Sequence, residues 1–192
     1  MIETVESCRV LPQGWFSSRD IRVYRDLVAQ VPGAGTFAEL GVWKGRSLCS
    51  VSDIVCARHL TVYAVDTFQG SAGEAEHIEA RSTDIHAHCQ EALRSFGIAS
   101  HVQIFAMTTT EAATHVPDAS LDLVFVDADH RYESVRQDIL RWLPKLTLRG
   151  VMAGHDWAWP SVRRAVEESF ADRVMVNGDI WMWKTPCAAV VA

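Results

Sequence analysis

The 192 residues are enough for one domain with a sizeable hydrophobic core. Hydrophobic residues make up 48% and charged residues 22%, which excludes a disordered chain. A net charge of -6 with no basic run argues against nucleic-acid and membrane-surface partners, and no apolar run is long enough to span a bilayer.

Residues 1–16 read as irregular, with Pro12 and Gly14. Ser17 or Ser18 then caps a helix to about Val31, with Ile21, Tyr24, Leu27, Val28 and Val31 on one face. Pro32-Gly33 stops it, and Thr36–Leu40 is a short buried strand. Gly41 to Gly45 is a turn. Leu48, Val51, Ile54 and Val55 follow at helical spacing, and Cys49 and Cys56 read as small core residues of that helix. Thr61–Asp66 is the second strand. Residues 67–96 are expected to form a lid, a polar loop leading into a helix over about 80–96. A metal reading of His86 and His88 is weak, since H-x-H on a helix points to different faces.

His101–Ala106 is a third strand, Thr108–His115 a short helix and Leu121–Asp127 a fourth strand. A helix from about Tyr132 carries Val135, Ile139, Trp142, Leu143 and Leu146, with Asp129 expected as its N-cap. Thr147–Ala153 is a fifth strand, and Val162, Val166 and Phe170 mark the last helix. Two strands around Asn177-Gly178 close the chain as a hairpin, with Trp181 and Trp183 alternating as packing residues. Five βα units and a hairpin predict an α/β fold, Rossmann-like and doubly wound. Its seven-stranded sheet is mostly parallel, with a C-terminal antiparallel hairpin. The whole chain, 1–192, reads as one domain, with 1–32 as an N-terminal segment and helix. Five scattered cysteines, an odd count with no signal-peptide pattern, suit a reducing cytoplasm.

Ligands of such sheets bind outside the carboxyl ends of the strands. The first strand ends E-x-G-x-x-x-G, with Glu39, Gly41 and Gly45, not the G-x-G-x-x-G of dinucleotide oxidoreductases. Asp66 ends the second strand, where a carboxylate can accept from both hydroxyls of a ribose. Glu39 at the turn and Asp127 at the neighbouring strand end suit a cationic cofactor better than a pyrophosphate. S-adenosylmethionine fits these anions and NAD fits poorly. A nicotinamide-dependent oxidoreductase and a non-catalytic adenosine-cofactor binder remain the alternatives.

Four ordered motifs, ELGVWKGRS (39–47), VDTFQG (65–70), DADHRYESVRQD (127–138) and RGVMAGHDW (149–157), make the chain resemble the class I S-adenosylmethionine-dependent methyltransferases. It is most similar to a small O-methyltransferase-like family, and the match runs from about Phe37 to the end. The resemblance implies a cytoplasmic enzyme that methylates a hydroxyl of a small molecule, a sugar or natural product. It implies Glu39, Gly41, Gly45 and Ser47 around the methionine part of the cofactor, and Asp66 with Thr67 at the ribose. Relatives often place an acid near the adenine after the third strand. Here that run is Ala106-Met-Thr-Thr-Thr-Glu111, so Met107 packing and Thr108 or Thr109 hydrogen bonding are expected instead.

Methyl transfer to a hydroxyl requires alignment and removal of a proton. In one reading Asp127, His155 and Asp156 hold a divalent ion that acidifies the hydroxyl. Magnesium is the first choice; an imidazole ligand also tolerates manganese, iron or zinc. In the other, His155 or His130 is the general base, oriented by Asp127 or Asp156. Asp127 also faces the transferable methyl. Arg131 and Arg136 read as a solvated face, Tyr132 as packing, and Trp157 and Trp159 as pocket candidates. Little sequence is left for a substrate domain, so pocket walls would come from the lid, the N-terminal segment or a second subunit of a homo-oligomer.

Overall fold

Short apolar runs set the architecture, because each must be buried on both faces and only helices can cover them. The computed structural model describes residues 9–71 and 75–185; Cys8, Cys187 and residues 72–74 of the expected lid lie outside them. In chain order the elements are α1 (Ser18–Val28), β1 (Thr36–Leu40), α2 (Arg46–Ser50), α3 (Ser52–Arg58), β2 (Thr61–Val65), α4 (Ala75–Ala80), α5 (Ile85–Ser95) and β3 (Val102–Phe105). Then come α6 (Thr109–Ala112), β4 (Leu121–Val126), α7 (Tyr132–Trp142), β5 (Leu146–Gly154), α8 (Pro160–Phe170), β6 (Met175–Asn177) and β7 (Ile180–Lys184). The sheet order is β3-β2-β1-β4-β5-β7-β6. The strands from β1 to β5 pair in parallel; β7 runs antiparallel to both its neighbours. This is the doubly wound sheet with a terminal hairpin that the alternation implied.

Side chains alternate across the strands, so the core divides in two. Phe37, Leu123, Phe125 and Ala153 face one side, with Tyr24 and Leu27 of α1, Leu48, Val55 and Leu93. Ala38, Leu40, Val124, Val126 and Met152 face the other, with Val135, Ile139 and Trp142 of α7 and Val162 and Val166 of α8. Trp142 is fully buried, and truncating it to Ala should cost about 3–5 kcal/mol.

The structure corrects several local expectations. The helix after Gly45 is two short ones, because Val51 leaves helical geometry at φ -113 and ψ 11. Cys49 is buried on the first and Cys56 only half-buried on the second. The helix expected over 80–96 is also split, since Asp84 starts α5 anew by accepting from the Ala87 backbone N–H. Asp129 does not cap α7. Arg131 holds the N-cap position, and the Asp129 carboxylate accepts from the Arg131 backbone in a local turn and pairs with its guanidinium. Among the described residues, no helix is long and apolar enough to cross a membrane.

Candidate active site

The parallel register decides who meets whom. Leu40 lies beside Val126, and Val126 beside Gly154. One residue further on, Gly41, Asp127 and His155 therefore stand in a row at the carboxyl edge. The Asp127 N–H donates to Leu40 O at 2.8 Å and the His155 N–H to Val126 O at 3.1 Å. Gly41 has φ +86, and a Cβ on it would lie 1.9 Å from the Asp127 carbonyl oxygen. The glycine thus makes room for the neighbouring strand end as well as for a ligand. Alternation puts Glu39, Asp127 and His155 on the α1 side of the sheet.

Two of the acids are held by the protein's own donors. Glu39 has no exposed surface, and its two oxygens accept from the Tyr24 and Ser47 hydroxyls. Burial pushes its carboxyl up to about 7, against those two hydrogen bonds. Asp66 accepts from the Val42 and Trp43 N–H groups on Oδ2 (2.9 and 2.7 Å) and from Phe68 N–H on Oδ1 (2.7 Å). It ties the glycine turn to the loop after β2. Burial raises its pKa, and these N–H groups oppose the rise. The Thr67 N–H bears on the same carboxylate, so backbone donors surround it.

The β4 and β5 ends differ. Burial holds the Asp127 carboxyl well above the usual range; His155 and His130 oppose this, while Asp156 and Glu39 add to it. His155 Nδ1 lies 3.6 Å from Asp127 Oδ1 and 3.3 Å from Asp156 Oδ2, and its Nε2 faces Asp20 Oδ2 at 3.5 Å. Phe16 packs over the ring at 4.8 Å. Burial alone would depress the imidazole, but Asp156, Asp127 and Asp20 outweigh it and push it up to about 9. That shift favours the imidazolium form of His155 in the absence of an ion. Asp156 sits at φ +60, a conformation an aspartate tolerates better than most residues. Its Oδ2 is 2.8 Å from His130 Nε2, and the two histidines hold its carboxyl well below the usual range against the effect of burial. His130 stacks on Trp159 at 4.6 Å.

Asp127, His130 and Asp156 each offer a ligand atom within 4.8 Å of the others. This donor group contains His130 beside the expected Asp127 and Asp156. His155 and Asp156 form a second such group with Asp179. All the strand ends open into one cavity of about 1130 Å³, large enough for a cofactor and an acceptor together.

A family model described as a methyltransferase domain matches residues 38–157. That span covers β1 to the β5 end and includes every strand end described above. The chain belongs to this methyltransferase family. Among solved structures, the O-methyltransferase NovP superposes with a TM-score of 0.69 at 21% identity, covering 86% of this chain and 79% of that one. SMU.1697c of Streptococcus mutans, solved with S-adenosylhomocysteine, gives 0.62 at 16% identity, covering 88% and 99%. At these identities the likeness carries the fold. An uncharacterized Sinorhizobium fredii protein, y4gI, is 34% identical over 120 residues, which are 62% of this chain. That match spans only 12% of the relative's own length.

The methyltransferase uses S-adenosylmethionine, and the nicotinamide alternative falls away with the family. Gly41, Ser47, Asp66, Thr67, Met107, Thr108, Asp127, His130, His155 and Asp156 all line the cavity. Glu39 and Gly45 do not: Glu39 lies beneath the turn, and Gly45 starts α2 at φ +81. Trp159 lines the cavity, whereas Trp157 packs under Arg163 at 5.3 Å. His86 stacks on Phe68 at 4.6 Å.

The N-terminal segment supplies one wall, a source the sequence had offered without naming its residues. Gln13, Trp15 and Phe16 line the cavity, strapped down by Arg46, which donates to Pro12 O and Phe16 O. Lys44, nearly buried, donates to Gln13 and pairs with Glu79 of α4 at 2.5 Å. Asp20 was missed. Its signal was present in Ser17-x-x-Asp20, a capping box that the structure forms with reciprocal hydrogen bonds.

Proposed function

We propose that the protein methylates a hydroxyl oxygen of a small molecule, assisted by a divalent ion held by Asp127, His130 and Asp156. The observation that carries this is the convergence of those three side chains at the cavity end beside the cofactor turn. Two carboxylate oxygens and one imidazole nitrogen fit magnesium or manganese, with water or a substrate oxygen completing the shell. NovP, an O-methyltransferase by description, has the same fold.

The cofactor fits the lining: Gly41 to Trp43 admit the close approach of its methionine part, and Asp66 lines the cavity where a ribose hydroxyl would reach it. S-adenosylmethionine supplies an electrophilic methyl, and a bound divalent ion would lower the pKa of a coordinated hydroxyl. The chain's own residues do the rest. Asp127 stands where acceptor and methyl would meet, and the carboxylate oxygen left free by the ion would take the hydroxyl proton. The His155 imidazolium, fixed between Asp20, Asp127 and Asp156, offsets their mutual repulsion. Phe16, Trp15 and Trp159 bound the acceptor side and displace water from it.

One observation favours a metal-free variant. Asp156 and His130, 2.8 Å apart, form an acid-oriented imidazole that could serve as the base. A screen of hydroxyl-bearing small molecules with methyl-labelled cofactor, run with magnesium and with chelator, tests both. The metal reading expects labelled methyl ether and loss of turnover in chelator. Equal turnover in chelator favours the dyad, and label on nitrogen or carbon rejects the O-methylation reading.

A further inference from the structure

A second, smaller cavity of about 10 Å³ lies behind the acids, with Val126, Val135 and Val162 among its walls. Asp127, His130 and Asp156 line it as they line the large cavity, so these three side chains stand between the two spaces. Trp181 of β7 lines the small cavity and not the large one.

The strand register puts the indole there. Gly154 pairs with Trp181 across the antiparallel β5 and β7, so both point to the α7 and α8 side of the sheet. A Cβ on Gly154 would lie 2.5 Å from Trp181 Cζ2 and 2.6 Å from Cε2. Glycine therefore lets the indole lie against the β5 end, directly before His155 and Asp156. Nε1, bonded to that Cε2, is buried and has no hydrogen-bond partner among the described residues. The fully buried Trp142 differs, since its Nε1 donates to Thr109 O at 3.1 Å. His155 Nε2 also lacks a hydrogen bond, but it faces Asp20 Oδ2 at 3.5 Å. An indole N–H can only donate, and burying it without an acceptor is costly.

The space beside Nε1 decides what the acceptor is. A water needs about 10–15 Å³ and several polar partners, and this cavity offers that room with acids on its wall. A cation does not suit it, because the N–H would point its positive end at the ion. We infer that one water is bound there, accepting from Trp181 Nε1 and donating to the Asp156 carboxylate, and that Trp181 is thereby a positioning residue for Asp156. Asp156 stands two residues past the end of β5 at φ +60, with His130 Nε2 2.8 Å from its Oδ2. A water anchored on the indole steadies the carboxylate from the protein side and leaves the large cavity to ligands. The positioning role, though not the water itself, rests on the ion proposed above.

Water-selective nuclear magnetic resonance of the isotope-labelled protein tests the site without reference to turnover. The Trp181 indole N–H, assigned from its contacts with Gly154, should exchange slowly with solvent and show a contact to a long-lived water. Slow exchange with no water contact overturns the inference, and so does rapid exchange, which would mean a site open to solvent. The contact should be lost in Asp156→Ala; its survival overturns the link to the carboxylate. Manganese affinity tests the positioning role. Trp181→Phe, which keeps an aromatic ring and lacks the donor, should weaken binding about tenfold, while Val162→Ala, a packing change in the same wall, should leave it within about threefold. Unchanged affinity in Trp181→Phe, or equal losses in both variants, overturns that role and leaves Trp181 as packing. No manganese binding by the wild type overturns the ion and the positioning role together, while the indole spectrum still decides the water. If Trp181→Phe does not fold, the wild-type and Asp156→Ala spectra carry the test.

Discussion

The acids at the two halves of the sheet edge are built for different work. Glu39 and Asp66, on the β1 and β2 side, are met by hydroxyls and backbone N–H groups that cannot change charge near neutral pH. They hold the glycine turn and the next loop in shape. Asp127 and Asp156, on the β4 and β5 side, are met by His155 and His130. Their partners can gain or lose protons, or exchange a contact for an ion. Burial is similar in kind at both ends; the donors decide which end is scaffold and which is chemistry.

The largest effect should come from Asp127→Asn. Turnover with an accepted hydroxyl compound is expected to fall about thousandfold, while affinity for S-adenosylhomocysteine, which lacks the sulfonium charge, stays within about threefold. A small loss of turnover would erase the distinction between the two ends. Tyr24→Phe attacks the other end. It strips a donor from buried Glu39, and urea unfolding should register a loss of about 1–3 kcal/mol, with cofactor-product affinity nearly unchanged. Unchanged stability would mean that Glu39 does not depend on that hydroxyl.

The two ends should also separate by pH. Glu39 has a folded pKa raised from 4.5 to about 7, so its stabilising contribution is complete below 4.5 and lost as pH rises through about 7. His155 is raised from 6.5 to about 9, so its contribution is complete below 6.5 and lost as pH rises through about 9. Thermal melts in chelator should therefore show Tm falling between about pH 7 and 9 in the wild type. His155→Gln should flatten that upper window only; a slope that persists would remove the imidazolium from the account. The smallest effect concerns the expected lid. Lys44→Ala removes the tie to Glu79 of α4, and limited proteolysis within 75–95 should speed up by about two- to fivefold. S-adenosylhomocysteine should slow cleavage in the wild type, and equal rates would argue against closure.

The strands were legible because each is a short apolar run ending at a polar residue, and the hairpin was legible from Asn177-Gly178, although Gly178 and Asp179 make the turn and Gly178 alone of these takes a positive φ. The breaks at Val51 and before Asp84 were not. Val51 is itself apolar and at helical spacing, so periodicity does not register a local change of backbone angle there. The site acids were legible as strand ends; their partners were less so. Tyr24 read as one more apolar residue of an amphipathic helix, yet its hydroxyl serves Glu39 from fifteen residues away in sequence. The Asp20 carboxylate was not legible as a neighbour of His155, because only folding brings it within 3.5 Å.

Manganese binding to the S-adenosylhomocysteine-loaded protein, followed by electron paramagnetic resonance, tests the central claim most directly. One ion per chain should bind to the wild type and be lost or weakened at least about tenfold in Asp156→Asn and His130→Gln, with His155→Gln retaining the site. No binding to the wild type, or equal binding by all four proteins, would contradict a metal-assisted centre at Asp127, His130 and Asp156.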